Sequence, residues 1–154
     1  MNIVKGDLLT MGKNNEFDII LHGCNCFNMM GAGIAAQISQ QFPDAQMADN
    51  ETLRGDPGKL GSYTIGMSGR LVILNCYTQF GVSSTGSDVF EYIAFERVLD
   101  KIAHRFGKWR IGLPLIGMGL ACGDEGRILP MIEQFAERVE KQGGSVTIVK
   151  WERK

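Results

Sequence analysis

His22, Asn25 and Asn28 share one stretch with Gly31-Ala32-Gly33, reading LHGCNCFNMMGAGIAA at residues 21–36. An imidazole gives or takes a proton near neutral pH, so His22 is the side chain here best suited to acid–base work. Asparagine amides build turns. Glycine and alanine let the backbone come close to an anion, and the first N–H groups of a following helix point at it. The apolar run Phe17 to Leu21 leads into this stretch, and an apolar helix leaves it. A strand, a glycine loop and a helix in that order predict a phosphate-containing ligand, a nucleotide first of all.

Those residues need a scaffold, and the hydrophobic pattern supplies one. Asn2 to Lys5 reads as a short strand running into Gly6-Asp7. Phe17 to Leu21 is continuously apolar, as suits a strand covered on both faces. Apolar residues at 34, 35, 38 and 42 have helical spacing, with Pro43 as the stop, and residues 44–53 suit a second short helix. Residues 54–58 form a loop; 61–65 and 71–77 are strands about a Gly-Met-Ser-Gly turn. The polar loop GVSSTGS at 81–87 precedes a long helix capped by Asp88, with Tyr92, Phe95, Val98, Leu99, Ile102 and Phe106 inward. A strand at 110–115, a second glycine loop at 116–125, a helix at 127–141 and a strand at 146–151 complete the chain. Strands alternating with helices predict an α/β sheet with helices on both faces.

With 154 residues, 44% apolar and 21% charged, the chain suits one globular domain spanning 1–154. A net charge of −1 without a basic block argues against a nucleic-acid-binding surface, which needs clustered cations. Lys5, Asp7 and Lys13 interrupt any apolar leader, and no run reaches membrane-spanning length, so a cytoplasmic protein is expected. Cys24 and Cys26 are spaced C-x-C, and Cys76 and Cys122 give no second pair with zinc-site spacing. Reduced cysteines and no metal are expected.

Four segments follow strands: Gly6-Asp7-Leu8, residues 22–33, residues 78–87 and residues 115–124. In an open α/β sheet all four can line one crevice at the carboxyl ends of the strands. Gly31-Ala32-Gly33-Ile34-Ala35-Ala36 also matches the dinucleotide fingerprint G-x-G-x-x-A. That fingerprint should follow its strand directly, yet His22 to Met30 intervenes. The region around Asp49, where an acidic strand end should stand, is polar and helix-like.

Taken in order, Gly6-Asp7-Leu8, the Asn25 turn, Gly31-Ala32-Gly33-Ile34 and Ile116-Gly117-Met118-Gly119-Leu120 resemble the macro domain family over nearly the whole chain. His22-Gly23-Cys24-Asn25-Cys26 and Phe80-Gly81-Val82-Ser83-Ser84 look most like the branch that includes yeast ADP-ribose 1″-phosphate phosphatase and its phage and bacterial relatives. The resemblance implies a three-layer α/β/α fold with a mixed, mostly parallel central sheet. It implies that Asp7 accepts from the adenine amino group beside the Leu8 backbone, and that Asn25 holds the distal ribose. Gly31, Ala32, Gly33 and Ile34 would face the diphosphate. Gly117, Met118, Gly119 and Leu120 would form the opposite wall. Ser83, Ser84 and Thr85 would reach the phosphates, and Phe80 would stack near adenine or ribose.

For chemistry, His22 ends a buried strand and is expected to face the cleft as the proton-transfer group. Asp124 is the second candidate. A helix starting near Arg127 would keep Pro130 in its tolerant first turn and leave Asp124 in the loop, open to ligand. His104, near the basic end of the long helix, suits a surface role. One departure matters. Some members of the resembled family cleave ADP-ribose from glutamate or from thymine with a lysine after the strand equivalent to 71–77, and here Gln79 follows Thr78. Metal-independent hydrolysis of ADP-ribose 1″-phosphate to ADP-ribose and phosphate, without a cofactor, is therefore the leading expectation. An ADP-ribosyl hydrolase and a non-catalytic ADP-ribose reader are the alternatives.

Overall fold

The computed structural model describes residues 1–82, 88–117 and 121–152. Six strands form one sheet: β1 (Asn2–Gly6), β2 (Ile19–Cys24), β3 (Tyr63–Ser68), β4 (Leu71–Tyr77), β5 (Arg110–Leu113) and β6 (Ser145–Trp151). Their order across the sheet is β1-β6-β5-β2-β4-β3. Every pairing is parallel except β3 with β4, which is antiparallel. The parallel strands therefore end on one edge, and the loops that leave them gather there.

Helices cover both faces, which gives the three-layer α/β/α arrangement. On one side α4 (Tyr92–Phe106) and α5 (Glu125–Lys141) bury Phe95, Val98, Leu99, Ile102, Ile128, Ile132, Phe135 and Val139. These pack with Ile19, Leu21, Leu74 and Cys76 of the sheet. On the other side lie α1 (Leu8–Lys13), α2 (Gly33–Gln41) and α3 (Pro43–Asn50), where Leu8, Leu9, Ile38, Phe42 and Ala45 meet Ile20 and Ile73. Alternate residues of β2 thus serve opposite cores, which explains its unbroken apolar run. Fully burying each such side chain contributes about 1.5–3 kcal/mol. The β3–α3 contact is closer still: a Cβ on Gly66 would stand 2.5 Å from the Ala45 Cα. Among the described residues no helix is long and apolar enough to cross a membrane.

Several boundaries differ from the sequence reading, each for a local reason. Helix α1 was not expected; at six residues it is too short to show a period, and Asp7 caps it through Oδ1, which accepts from Leu9 N (3.0 Å) and Thr10 N (3.3 Å). Strand β2 runs on to Cys24 instead of stopping at Leu21. Pro43 both ends α2 and starts α3, since its missing N–H costs nothing at a first helical position. Asp88 does not cap α4; its Oδ1 accepts from Phe90 N and its Oδ2 from the Tyr92 hydroxyl, and the cap position falls to Glu91. Strand β5 stops at Leu113 because Pro114 cannot donate to the ladder.

Helix α5 starts at Glu125, so Asp124 is not a free loop carboxylate. It is the N-cap, its Oδ1 accepting from Gly126 N at 2.9 Å, while its own N–H donates to the Tyr92 hydroxyl. Pro130 lies inside this helix. The bond it forfeits would have reached the carbonyl of Gly126, in the exposed first turn, where solvent can satisfy it. That is why the proline did not push the helix start to Arg127.

Candidate functional site

At the carboxyl edge of the sheet the loops enclose a cleft made of two adjoining hollows, of about 430 and 620 Å³. Each is of a size that takes a small organic ligand. Gly33, Ile34, Pro114 and Leu115 line both hollows and form the waist between them. One hollow is closed by Gly23, Cys24, Asn25, Met29, Gln79 and Gly117. The other is closed by Asp7, Leu8, Gln37, Lys150 and Trp151.

The waist carries a feature that favours an anion. Helix α2 begins there with Ala32 at the cap position and no side-chain cap. Its first backbone N–H groups lack helical acceptors by geometry. No serine or aspartate occupies them from within, and the helix dipole adds partial positive charge. Gly33 adopts φ +59, in the left-handed region, which lets the chain turn from the loop into the helix. Gly117 has φ +84, and a Cβ there would strike the Phe90 ring at 2.5 Å, so this wall too must be glycine.

The expected ligand residues fall as follows. Gly31, Ala32, Gly33, Ile34 and Gly117 line the first hollow, and Asp7 and Leu8 line the second. Asn25 is buried at the first hollow in an Asx turn; its Oδ1 accepts from Phe27 N and its Nδ2 donates to Met29 O, both at 2.9 Å. One amide hydrogen and one lone pair remain for a ligand. Phe80 lines neither hollow; it is exposed and meets Phe27 edge-on at 4.9 Å. Gln79 does face the first hollow, and its Nε2 donates to Gly81 O at 2.6 Å. Ser83, Ser84, Thr85, Met118, Gly119 and Leu120 lie outside the described residues.

His22 does not open on the cleft. Its side chain is fully buried within β2, opposite Asn75 of β4 in the parallel register. Asn75 Nδ2 donates to Ala45 O (2.9 Å) and to Thr64 Oγ1 (3.0 Å), so its Oδ1 is the atom facing the imidazole. His22 Nε2 lies 2.6 Å from that oxygen and therefore carries the proton. Burial lowers the pKa of His22 to about 4, against a smaller upward pull from Asn75. The ring is a neutral structural donor. The chain of polar groups continues from Thr64 to the Tyr77 hydroxyl (3.0 Å) and on to Asp49 Oδ1 (2.8 Å). Sequence reasoning missed this network because its members, from 22 to 77, meet only through the strand register and the packing of α3 on the sheet.

Cys24 lines the first hollow, but burial first, and the nearby Asp49 charge second, push its thiol well up. It is thus a protonated thiol and a poor nucleophile. Sequence reasoning also missed Trp151. Its position at the last residue of the last strand was the available signal, because that end of a parallel sheet is where ligands bind.

No protein-family model matches the chain. It is similar to the "uncharacterized 17.5 kDa protein in tk-vs intergenic region" of Enterobacteria phage T4, at 33% identity over 97% of this chain and 95% of that protein. A shorter match, 44% identical over 43 residues, joins 28% of this chain to 24% of a Meyerozyma guilliermondii protein named ADP-ribose 1″-phosphate phosphatase. Among solved structures, the Thermosipho africanus DarTG in complex with ADP-ribose superposes with a TM-score of 0.74 at 17% identity, over 97% of this chain and 42% of that one. A macrodomain protein from Streptomyces coelicolor gives 0.69 at 22% identity, over 99% of both chains.

Proposed function

We propose that the chain, whose fold is that of solved macrodomain structures, is a macro domain and that its cleft binds ADP-ribose. The observation that carries this reading is the uncapped start of α2 at the waist between two hollows. A diphosphate at the waist would place one nucleoside-like group on each side. Asp7 would take the adenine amino group, Trp151 would cover that end, and Asn25 would meet the distal ribose.

The adenine assignment has a clean test. Asp7 Oδ1 is occupied by the α1 cap, which leaves Oδ2 to accept from the ligand. Asp7→Asn keeps a capping oxygen but puts an N–H₂ against adenine's own donor. The unsubstituted protein should bind ADP-ribose at least about tenfold more tightly than GDP-ribose, since one such hydrogen bond to a charged acceptor is worth about 1.5–3 kcal/mol. The variant should lose most of that preference without a change in melting temperature. Equal binding of both ligands by the unsubstituted protein, measured by calorimetry, would remove Asp7 from this role.

A second reading has one observation in its favour: the 43-residue match to a protein named ADP-ribose 1″-phosphate phosphatase. On this reading the first hollow also holds the terminal phosphate monoester and the chain hydrolyses it. With His22 buried and Asp124 lining neither hollow, the described cleft offers backbone donors and the Asn25 amide, which would orient the ester and stabilise charge. Release of inorganic phosphate from ADP-ribose 1″-phosphate, measured beside release of ADP-ribose from modified protein and modified DNA, distinguishes the two kinds of hydrolase. Tight binding without turnover on any of the three leaves the binding function alone.

A further inference from the structure

We propose that Lys59 is a positioning residue of the cleft: its buried amine holds the 25–30 loop, and through it the distal half of the binding site. Lys59 ends a short 3-10 turn (Pro57–Lys59) and is only 7% exposed. Lysine is almost never buried so deeply without partners that justify the loss of hydration. Its Nζ donates to Asn28 Oδ1 at 2.8 Å and to Thr52 Oγ1 at 2.9 Å, and lies 5.4 Å from the centre of the Tyr77 ring. It lines neither hollow, so any effect on a ligand passes through what it holds.

What it holds is the apex of the ligand loop. Asn28 stands in the left-handed region at φ +55, a conformation that asparagine adopts only at some cost. Its other amide atom donates to Thr52 O at 2.9 Å, so the whole side chain is tied to the 52–59 segment. Asn25 and Met29, on either side of this apex, are joined to each other by a hydrogen bond and both line the first hollow. The same segment grips the loop once more, through Gly55 N donating to Cys26 O at 2.7 Å. The other hollow, with Asp7 and Trp151, takes no lining residue from the 25–30 loop. Lys59 therefore bears on one half of the cleft and not on the other.

That asymmetry gives a readout that general destabilisation would not. Resting on the ADP-ribose reading, Lys59→Met should raise the Kd for ADP-ribose at least about tenfold and the Kd for AMP, which fills the Asp7 half, by less than about twofold. In the ligand-free protein, the amides of Cys26 and Phe27 should exchange at least about tenfold faster, while those of Leu74 and Cys76 in β4 keep their protection. Asn28→Gly removes the acceptor yet suits the left-handed backbone, and should reproduce the selective loss. The double variant should bind ADP-ribose within about twofold of Lys59→Met alone, because both changes break one connection. Unchanged exchange at Cys26 and Phe27 in both single variants, or equal weakening of ADP-ribose and AMP, overturns the proposal. Failure of the unsubstituted protein to bind ADP-ribose would sink the ligand reading alone; the exchange measurement then decides the role of Lys59 by itself.

Discussion

Gly33→Glu is expected to abolish ADP-ribose binding, with a Kd raised at least about a hundredfold, while the protein stays folded. Gly33 lines both hollows, so a side chain there stands in the waist that a diphosphate must cross. A glutamate adds a negative charge where the α2 start presents partial positive charge, and so replaces attraction with repulsion. The position has φ +59, so any side chain also costs about 1–2 kcal/mol of backbone strain. That is well below the 5–15 kcal/mol by which domains are usually stable. Circular dichroism and melting should therefore report a folded chain with a modestly lower Tm. Binding equal to that of the unsubstituted protein would mean that the ligand does not pass Gly33.

Acid should destabilise the protein through His22, and His22→Leu should blunt that response. The imidazole titrates near 6.5 when unfolded and near 4 when buried in the fold. Between those values the unfolded chain takes up a proton that the folded chain refuses, so stability falls as pH drops from 6.5 to 4 and is unaffected by this group above that window. At about 1.4 kcal/mol per pH unit the interval corresponds to about 3 kcal/mol. His22→Leu removes the titrating group but leaves Asn75 Oδ1 buried without a donor, a loss of about 1–3 kcal/mol at neutral pH. Denaturant titrations at pH 7.5, 5.5 and 4.5 should show a sloping profile for the parent and a lower, flatter one for the variant. If the protein hydrolyses a phosphate ester, turnover per folded molecule should change by less than about threefold in the variant. A loss of about 10²–10⁴, the usual worth of general acid–base help, would return His22 to the chemistry.

The misplaced histidine shows where sequence legibility stopped. Long periodic segments were readable: of the residues the α4 spacing marked, Phe95, Val98, Leu99 and Ile102 are buried while Tyr92 and Phe106 are half-buried, and the apolar run of β2 marked a central strand. The glycine loop at 31–33 was readable as a backbone feature because its chemistry is local. What depends on register was not. A polar residue after an apolar run reads as the end of a strand, so His22 was placed at the cleft; only its pairing with Asn75, 53 residues away, lets the strand continue to Cys24. Asp124 and Asp88 are each loop carboxylates near a helix start in sequence. Asp124 stands directly before α5 and caps it, whereas Asp88 lies three residues before the α4 cap position, Glu91, and accepts from the Tyr92 hydroxyl instead. Lys59 gave no signal, because a lone lysine in a polar loop reads as solvated.

The sheet order carries a consequence for how this protein comes into being. The first strand, β1, pairs only with β6, the last, aligning Asn2 with Thr147 and Gly6 with Trp151. During synthesis β1 and the Asp7 turn leave the ribosome early yet have no partner until residue 151 has followed. The β2–β4–β3 portion, with Asn25 and the start of α2, can assemble long before that. The first hollow thus takes no lining residue after Ala121, whereas the second waits for Val149, Lys150 and Trp151. On the ADP-ribose reading, a growing polypeptide would gain its full grip on a two-ended ligand only when β6 has docked.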